Sequence, residues 1–311
     1  MSVVKSFKVK SKDNQDGDMF YIMHASDNFT CIDCCLNEDR EEEIISEIKE
    51  LRNQKGIFRF ISTHPDDDHI CGIKELNTAV PLDNFYCVEN CANNPNGKED
   101  FELYCDFRGG IGKRCPIVKG CSCCWLNQSN EDRQCSGIHF LWPDINNEHY
   151  TDVLESVKDW NNVNNLSPII SYSIKNSATF LWFGDMETNF MENIAKEVKF
   201  DEATVLFAPH HGRKSGRVID EWLAQIKPRI IVIGSAPCEH LDYYDECNEI
   251  NNYDGYCTIT QNRAGDIAFE TDDDWLHIFV SNQNYEPTFR VFDMGRPDAH
   301  GCHYIGSINI K

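Results

Sequence analysis

Apolar and polar positions alternate along this chain with two periods, and the switches between them mark out its elements. Residues 1–12 and 18–25 alternate with period two and read as strands joined by the polar turn Asp13-Asn14-Gln15-Asp16-Gly17. A third strand, from Phe29, runs into Asp33. Residues 39–54 place Ile44, Ile45, Ile48 and Leu51 at helical spacing, with acids in the first turn where the helix dipole favours them. The apolar run 57–61 reads as a buried strand, and a helix pattern starts at Gly72. Further strands are expected at 82–88, 138–144, 169–174, 179–183, 205–208 and 228–235. A polar helix is expected at about 151–160. Phe190, Met191, Ile194 and Val198 give a helix over 188–198 one apolar face, and Val218, Ile219, Trp222, Leu223 and Ile226 do the same for 217–226. Alternation of this kind predicts a layered α/β fold. Residues 275–292 and 295–306 carry no pattern that assigns them.

Between about 89 and 136 the periodicity lapses. Cysteines crowd this stretch and its border: Cys87, Cys91, Cys105, Cys115, Cys121, Cys123, Cys124 and Cys135, eight of the sixteen in the chain. The reading is one domain over 1–311 with a Cys-rich insertion at 89–136, stapled by a structural zinc because so small and loop-rich a piece has little core of its own. Such a module would also suit a protein partner. The first ten residues alternate like an edge strand and lack the apolar core of an export signal. Thiols rather than disulfides, and a cytoplasmic location, are therefore expected. Cys31, Cys34, Cys71 and Cys257 read as small buried hydrophobes.

Composition changes the picture in two ways. With 41% apolar residues over 311 positions the chain can bury a full core, and no apolar run approaches the roughly 20 residues of a membrane span, so no membrane association is expected. The formal net charge of −22 opposes any broad grip on nucleic acid. The expected partner is a small or locally docked substrate, not a long polyanion.

Against that acidity one loop concentrates the chemistry: Ser62-Thr63-His64-Pro65-Asp66-Asp67-Asp68-His69-Ile70-Cys71-Gly72. Five ionisable side chains fall within six residues at the end of a buried strand. Acids so placed repel one another unless cations lie between them, and His with Asp is a hard-to-borderline ligand set. Two other strands end in chemistry of the same kind, at Gly184-Asp185 and at Pro209-His210-His211-Gly212. No phosphate loop, serine elbow or dinucleotide fingerprint competes with this reading.

The loop resembles the H-x-H-x-D-H signature of the metallo-β-lactamase fold superfamily. It is written here H-x-D-x-D-H, as in the branch typified by the hydrolase domain of ComEC, with Asp66 at the second His position. The likeness covers about residues 18–88 and 138–270. It implies a four-layer αββα sandwich and two divalent ions, with the extra carboxylate making manganese as fitting as zinc. Carried over by position, His64 and Asp66 would hold one ion. Asp68 and His69, with His210 or else His211, would hold the other, and Asp185 would bridge. His210 is favoured as the ligand, being nearer the strand. His211 would then act on the substrate alongside Asp68 and His240, the last in the Pro237-Cys238-Glu239-His240 stretch. Asp33 would orient a ligand histidine from behind, and Asp67 would point away from its neighbours. Asn164-Asn165-Leu166-Ser167 resembles the branch's N-N-x-S, offering Asn165 and Ser167 to substrate, and residues 257–267 resemble its closing hairpin. Arg213 and Lys214 depart from the usual Ser and would suit a phosphate. His300, Cys302 and His303 form a minor second metal candidate.

The function implied is metal-dependent hydrolysis, with a phosphodiesterase or nuclease first. The alternatives are hydrolysis of a carboxylic ester, lactone or thioester, or a non-catalytic binding protein whose Cys-rich insertion docks a partner.

Overall fold

The computed structural model describes every residue except 11–15, 38, 111–112, 174–176, 237–243, 245–255 and 273. The chain begins β1 (Ser2–Ser6), β2 (Phe20–Met23), β3 (Asn28–Ile32), α1 (Glu41–Arg52), β4 (Ile57–Ile61), α2 (Asp67–Ile70) and α3 (Ile73–Ala79). It continues with β5 (Asn84–Cys87), α4 (Glu99–Arg108), β6 (Lys113–Pro116), β7 (Ile138–Trp142), α5 (Glu148–Ser156), β8 (Ile169–Ser173), β9 (Thr179–Trp182) and α6 (Thr188–Asn193). It ends with β10 (Val205–Phe207), α7 (Asp220–Ile226), β11 (Ile230–Ile233), β12 (Cys257–Thr260), α8 (Gln261–Ala264), β13 (Ile267–Thr271), β14 (Trp275–Val280) and β15 (His303–Asn309).

These strands form two mixed sheets. One has nine strands in the order β15-β14-β13-β1-β2-β3-β4-β5-β6, and the other six in the order β12-β11-β10-β9-β8-β7. Period-two alternation sorts the first sheet's side chains between two cores. Val4, Phe20, Ile22, Ile32, Ile61 and Tyr86 face the second sheet, where Phe20 lies edge-on to Phe207 at 5.0 Å. Val3, Tyr21, Phe29, Cys31, Phe58, Phe60 and Phe85 face the other way, onto Ile44 and Ile48 of α1, Ile73 and Leu76 of α3, and Phe101, Tyr104 and Phe107 of α4. The outer face of the second sheet is covered by α5, α6 and α7 through Tyr150, Phe190, Trp222 and Ile226. The four-layer αββα sandwich expected from the sequence is present.

Burial includes charge. Lys5 in β1 is 1% exposed, yet its ammonium donates to both oxygens of Glu47 (2.8 and 2.7 Å) and to the His300 carbonyl (2.9 Å). Tyr21 Oη adds a bond to the same carboxylate at 2.9 Å.

One expectation changes, and two stretches gain structure that the sequence pattern did not assign. Residues 257–267 are no hairpin: β12 pairs parallel to β11 in the second sheet, α8 turns the chain, and β13 joins the first sheet beside β1. The Cys-rich stretch is built into the sandwich, since Phe101, Tyr104 and Phe107 recur at helical spacing and give α4 a buried face, while β6 pairs with β5. The tail supplies β14 and β15, antiparallel to each other. No helix among the described residues is long and apolar enough to cross a membrane.

The topology gathers one set of loops. β3 and β4 run parallel, so Asp33 and the His64–His69 loop leave from the same edge, and β2, antiparallel to β3, starts there just after Asp18. β9 and β10 run parallel in the other sheet and deliver Asp185 and the two histidines.

Candidate metal centre

Backbone hydrogen bonds lace these loops together. Asp18 N donates to the Asp68 carbonyl (3.1 Å), Cys34 N to that of His69 (2.9 Å), and His210 N to that of Gly184 (3.0 Å). The backbone is strained where it turns in. Asp33 (φ 55°), His210 (φ 53°) and His211 (φ 54°) all lie in the left-handed region, each at a cost of about 1–2 kcal/mol. Gly184 (φ 50°) is a glycine for a second reason, because a Cβ there would stand 2.6 Å from Ser167 Oγ and 2.8 Å from Thr63 Cβ.

Three buried histidines are each anchored through Nδ1. His69 Nδ1 meets Asp33 Oδ2 at 2.9 Å. His211 Nδ1 meets Asp18 Oδ1 at 3.2 Å. His64 Nδ1 lies 3.1 Å from Thr63 Oγ1 and 3.4 Å from Ser167 Oγ. Because Thr63 Oγ1 gives its proton to Asp33 Oδ2 (2.6 Å), it accepts from His64 Nδ1. Each Nε2 is thereby turned inward, and outer carboxylates and hydroxyls of this kind fix tautomer and ring orientation in metal sites.

What the Nε2 atoms meet decides the character of the site. His69 Nε2 stands 3.1 Å from Asp185 Oδ1, and His211 Nε2 stands 3.1 Å from Asp68 Oδ2 and 3.5 Å from Asp185 Oδ2. His64 Nε2 is 3.7 Å from Asp66 Oδ2. Yet His64 Nε2, His69 Nε2 and Asp185 Oδ1 are buried atoms without a well-formed hydrogen bond. Two donors on one first-row ion, each about 2.1 Å from it, stand roughly 3 Å apart. Ligand atoms of Asp18, His69, Asp185 and His211 lie within 4.8 Å of one another, and so do those of Asp16, Asp68 and His211. Buried polar atoms left unpaired, spacing and donor chemistry all fit divalent ions.

Electrostatics agree. Burial opposes a charge on His69 and on His211, but Asp185 beside both, with Asp33 and Asp18 behind them, outweighs it and raises both pKa values well above the ordinary one. Burial and the neighbouring His69 push His64 down to about 3. Burial and Asp68 lift Asp66 to about 7. Burial opposes ionisation of Asp185, but His69 and His211 hold it well below the usual range. Here protons on two histidines balance the carboxylates, a task that cations would take over.

The remaining candidates sit around this cluster. His211 is the buried partner of Asp68, while His210 stands half-buried at the rim, its Nε2 3.7 Å from Asp185 Oδ2 and its Nδ1 3.1 Å from Ser215 Oγ. Arg213 reaches over the rim, its guanidinium paired with buried Asp16 and 3.4 Å from His210 Nε2. Lys214 is exposed. Ser167 Oγ accepts the Asp185 N–H at 3.1 Å, and Asn165 clamps Glu187 through both amide atoms (3.0 and 3.1 Å). Asp67 pairs with Lys98 at 3.4 Å. His240 lies outside the described residues.

The eight cysteines do not gather into a zinc set: among the described residues no three thiols come within 4.8 Å of one another. Cys87 lies under α4, Cys105 on it and Cys115 on β6, while Cys91 and Cys124 are exposed, so apolar anchors hold this stretch. Nor does the tail form a second centre, since His300 bonds Glu270 (2.8 Å), His303 bonds Asp298 (2.7 Å), and Cys302 packs in a small core. Sequence reasoning missed Asp16 and Asp18. The one signal was an Asp-Gly-Asp directly ahead of an apolar strand.

A cavity of about 440 Å³ opens over the centre, floored by Asp66, Asp68, Asp185 and His210. No family model matches the chain, and no curated protein does. Among solved structures it is similar to Igni18, a novel metallo hydrolase from the hyperthermophilic archaeon Ignicoccus hospitalis (TM-score 0.46, 14% identity, 86% of this chain and 99% of that one). It is also similar to CmlA, a diiron β-hydroxylase from Streptomyces venezuelae (TM-score 0.45, 10% identity, 83% of this chain and 52% of that one). A third is the long form of RNase Z from yeast (TM-score 0.39, 11% identity, 83% of this chain and 40% of that one). The chain thus spans about half the length of CmlA and less than half that of RNase Z.

Proposed function

We propose that this chain is a binuclear metal-dependent hydrolase acting on phosphodiesters. The observation that carries the reading is the pair His69 Nε2 and Asp185 Oδ1, 3.1 Å apart, both buried and neither in a well-formed hydrogen bond. His64 and Asp66 would hold one ion, Asp68, His69 and His211 the other, with Asp185 shared. Bound there, two divalent ions supply a water acidified toward neutral pH and a positive field for the charge that develops on the substrate.

The protein's own side chains supply the rest. Asp33 and Asp18 keep His69 and His211 in one tautomer. Arg213, held by Asp16 and His210, and Lys98, paired with Asp67, both line the cavity and place two cations within reach of non-bridging phosphate oxygens. Burial lowers the His210 pKa, so its ring is neutral near pH 7, and from the rim it can exchange a proton with the leaving oxygen. This pair of cations above the centre favours phosphodiesters over neutral carboxylic esters.

The test is hydrolysis of bis(p-nitrophenyl) phosphate and p-nitrophenyl acetate by protein supplied with zinc or manganese, alongside metal analysis. We expect about two ions per chain, fewer in Asp185→Ala, and a diesterase rate that His69→Ala abolishes. Equal rates in parent and His69→Ala would reject the mechanism, and turnover of the acetate alone would reject the substrate class.

A further inference from the structure

The cavity over the metal ligands is also lined by two stretches that the metal motifs leave unused. Asn94, Asn96 and Lys98 precede α4, and Trp160 and Asn164 follow α5. The first stretch is keyed to the metal loop. Asp100, in the first turn of α4, accepts the backbone N–H groups of Gly72 (3.0 Å) and Lys74 (3.1 Å), just beyond His69, and Lys98 meets Asp67 at 3.4 Å. The second is held under strain. Trp160 (φ 59°) and Asn162 (φ 56°) are both left-handed, and the indole is fixed edge-to-face on Phe101 of α4 at 5.4 Å. An L residue as bulky as Trp occupies that conformation only where its surroundings impose it.

We propose that Trp160, with Asn94, Asn96 and Asn164, forms a subsite for the base of a nucleotide-sized phosphodiester. The inference rests on the phosphodiesterase reading above for the place of the phosphate, beside Arg213 and Lys98. Three observations carry it. A half-buried indole lines a polar cavity and offers the flat apolar surface on which a heterocycle stacks. The side-chain amides of Asn96 and Asn164 take no hydrogen bond from the described residues, and Asn94 uses only its oxygen, on Asn96 N at 2.9 Å. Amides pair with the donor and acceptor edges of bases. Finally, about 440 Å³ lies within the roughly 300–1,000 Å³ of small-molecule sites. With a net charge of −22 around it, the cavity suits one nucleotide rather than a strand.

The experiment is calorimetric binding of the four ribonucleoside 5′-monophosphates and of inorganic phosphate to protein purified with zinc or manganese. We expect at least one nucleotide to bind about ten-fold or more tightly than phosphate, and Trp160→Ala to erase that preference while leaving phosphate affinity unchanged. Trp160→Phe should retain most of it, and Asn164→Ala, at a half-exposed position, should weaken the nucleotide alone even if Trp160→Ala fails to fold. Equal affinity for nucleotides and phosphate in the parent would overturn the subsite, as would nucleotide preference surviving in both Trp160→Ala and Asn164→Ala. Nucleotide preference in a protein that hydrolyses no phosphodiester would leave the subsite standing and sink the phosphodiesterase reading instead.

Discussion

Replacing Asp33 by Asn alters the chemistry of one carboxylate and almost nothing of its size. Asp33 Oδ1 accepts the Thr63 N–H at 2.7 Å, while Oδ2 accepts both the Thr63 hydroxyl (2.6 Å) and His69 Nδ1–H (2.9 Å). An amide has one oxygen, which stays on the Thr63 N–H. Its NH2 then faces the hydroxyl and the imidazole, so His69 must offer a lone pair at Nδ1 and move its proton to Nε2. That is the atom 3.1 Å from Asp185 Oδ1. The ring would then present an N–H in place of a lone pair to the centre, without leaving its place. Outer-shell changes of this kind cost about 10–100-fold in metal affinity, or about 1.4–2.7 kcal/mol. Competition against a chromogenic chelator measures the affinity, and thermal melts of metal-free protein show whether the fold is kept. Parent-like metal affinity in Asp33→Asn would refute the claim that the Nδ1 anchors set the inward face.

Gly184→Ala places a Cβ on Ser167 and Thr63 at a left-handed residue, and should lower urea stability by about 2–4 kcal/mol, read from the denaturation midpoint. Glu47→Gln strips the counter-charge from buried Lys5 and should cost about 3 kcal/mol in the same assay, whereas Glu43→Gln, at an exposed partner of Arg40, should stay within about 1 kcal/mol. Glu270 is held below the ordinary carboxylate pKa by its hydrogen bond from His300, with Arg296 and His277 adding positive charge and burial opposing. Its contribution is therefore complete above the unfolded-state pKa and lost as pH falls through the lowered one. The stability gap between parent and Glu270→Gln should be constant at pH 6–7 and close below about pH 4, and a gap that widens in acid would reverse the sign.

Where the candidate ligands are contiguous in sequence, their gathering was legible. The loop from His64 to His69, Gly184-Asp185 and the His-His pair each end an apolar run, so sequence alone shows ligand types emerging from buried strands. Which of His210 and His211 turns inward is set by two successive left-handed residues, a backbone property that the string His-His-Gly does not encode. Asp18 was invisible for another reason. It serves His211 from 193 residues away, and only the antiparallel start of β2 brings it there. In the Cys-rich stretch, composition masked periodicity: the thiols drew attention while Phe101, Tyr104 and Phe107 were the residues that fixed its place.

The position of β1 has a consequence for how this molecule is made. Its two neighbours are β2, nearby in the chain, and β13, whose Thr271 pairs with Ser2. At ribosomal speeds of roughly 5–20 residues per second, about 12–50 s separate synthesis of the two flanks. Through that interval one side of β1 is an open edge, the kind of surface on which nascent chains aggregate. Lys5 lies midway along it, and a lysine on an unpaired edge blunts such association until Glu47 and the late strands enclose it. Ribosome-bound chains stalled before residue 267 should therefore stay dispersed with Lys5 in place and aggregate when it is replaced by Val.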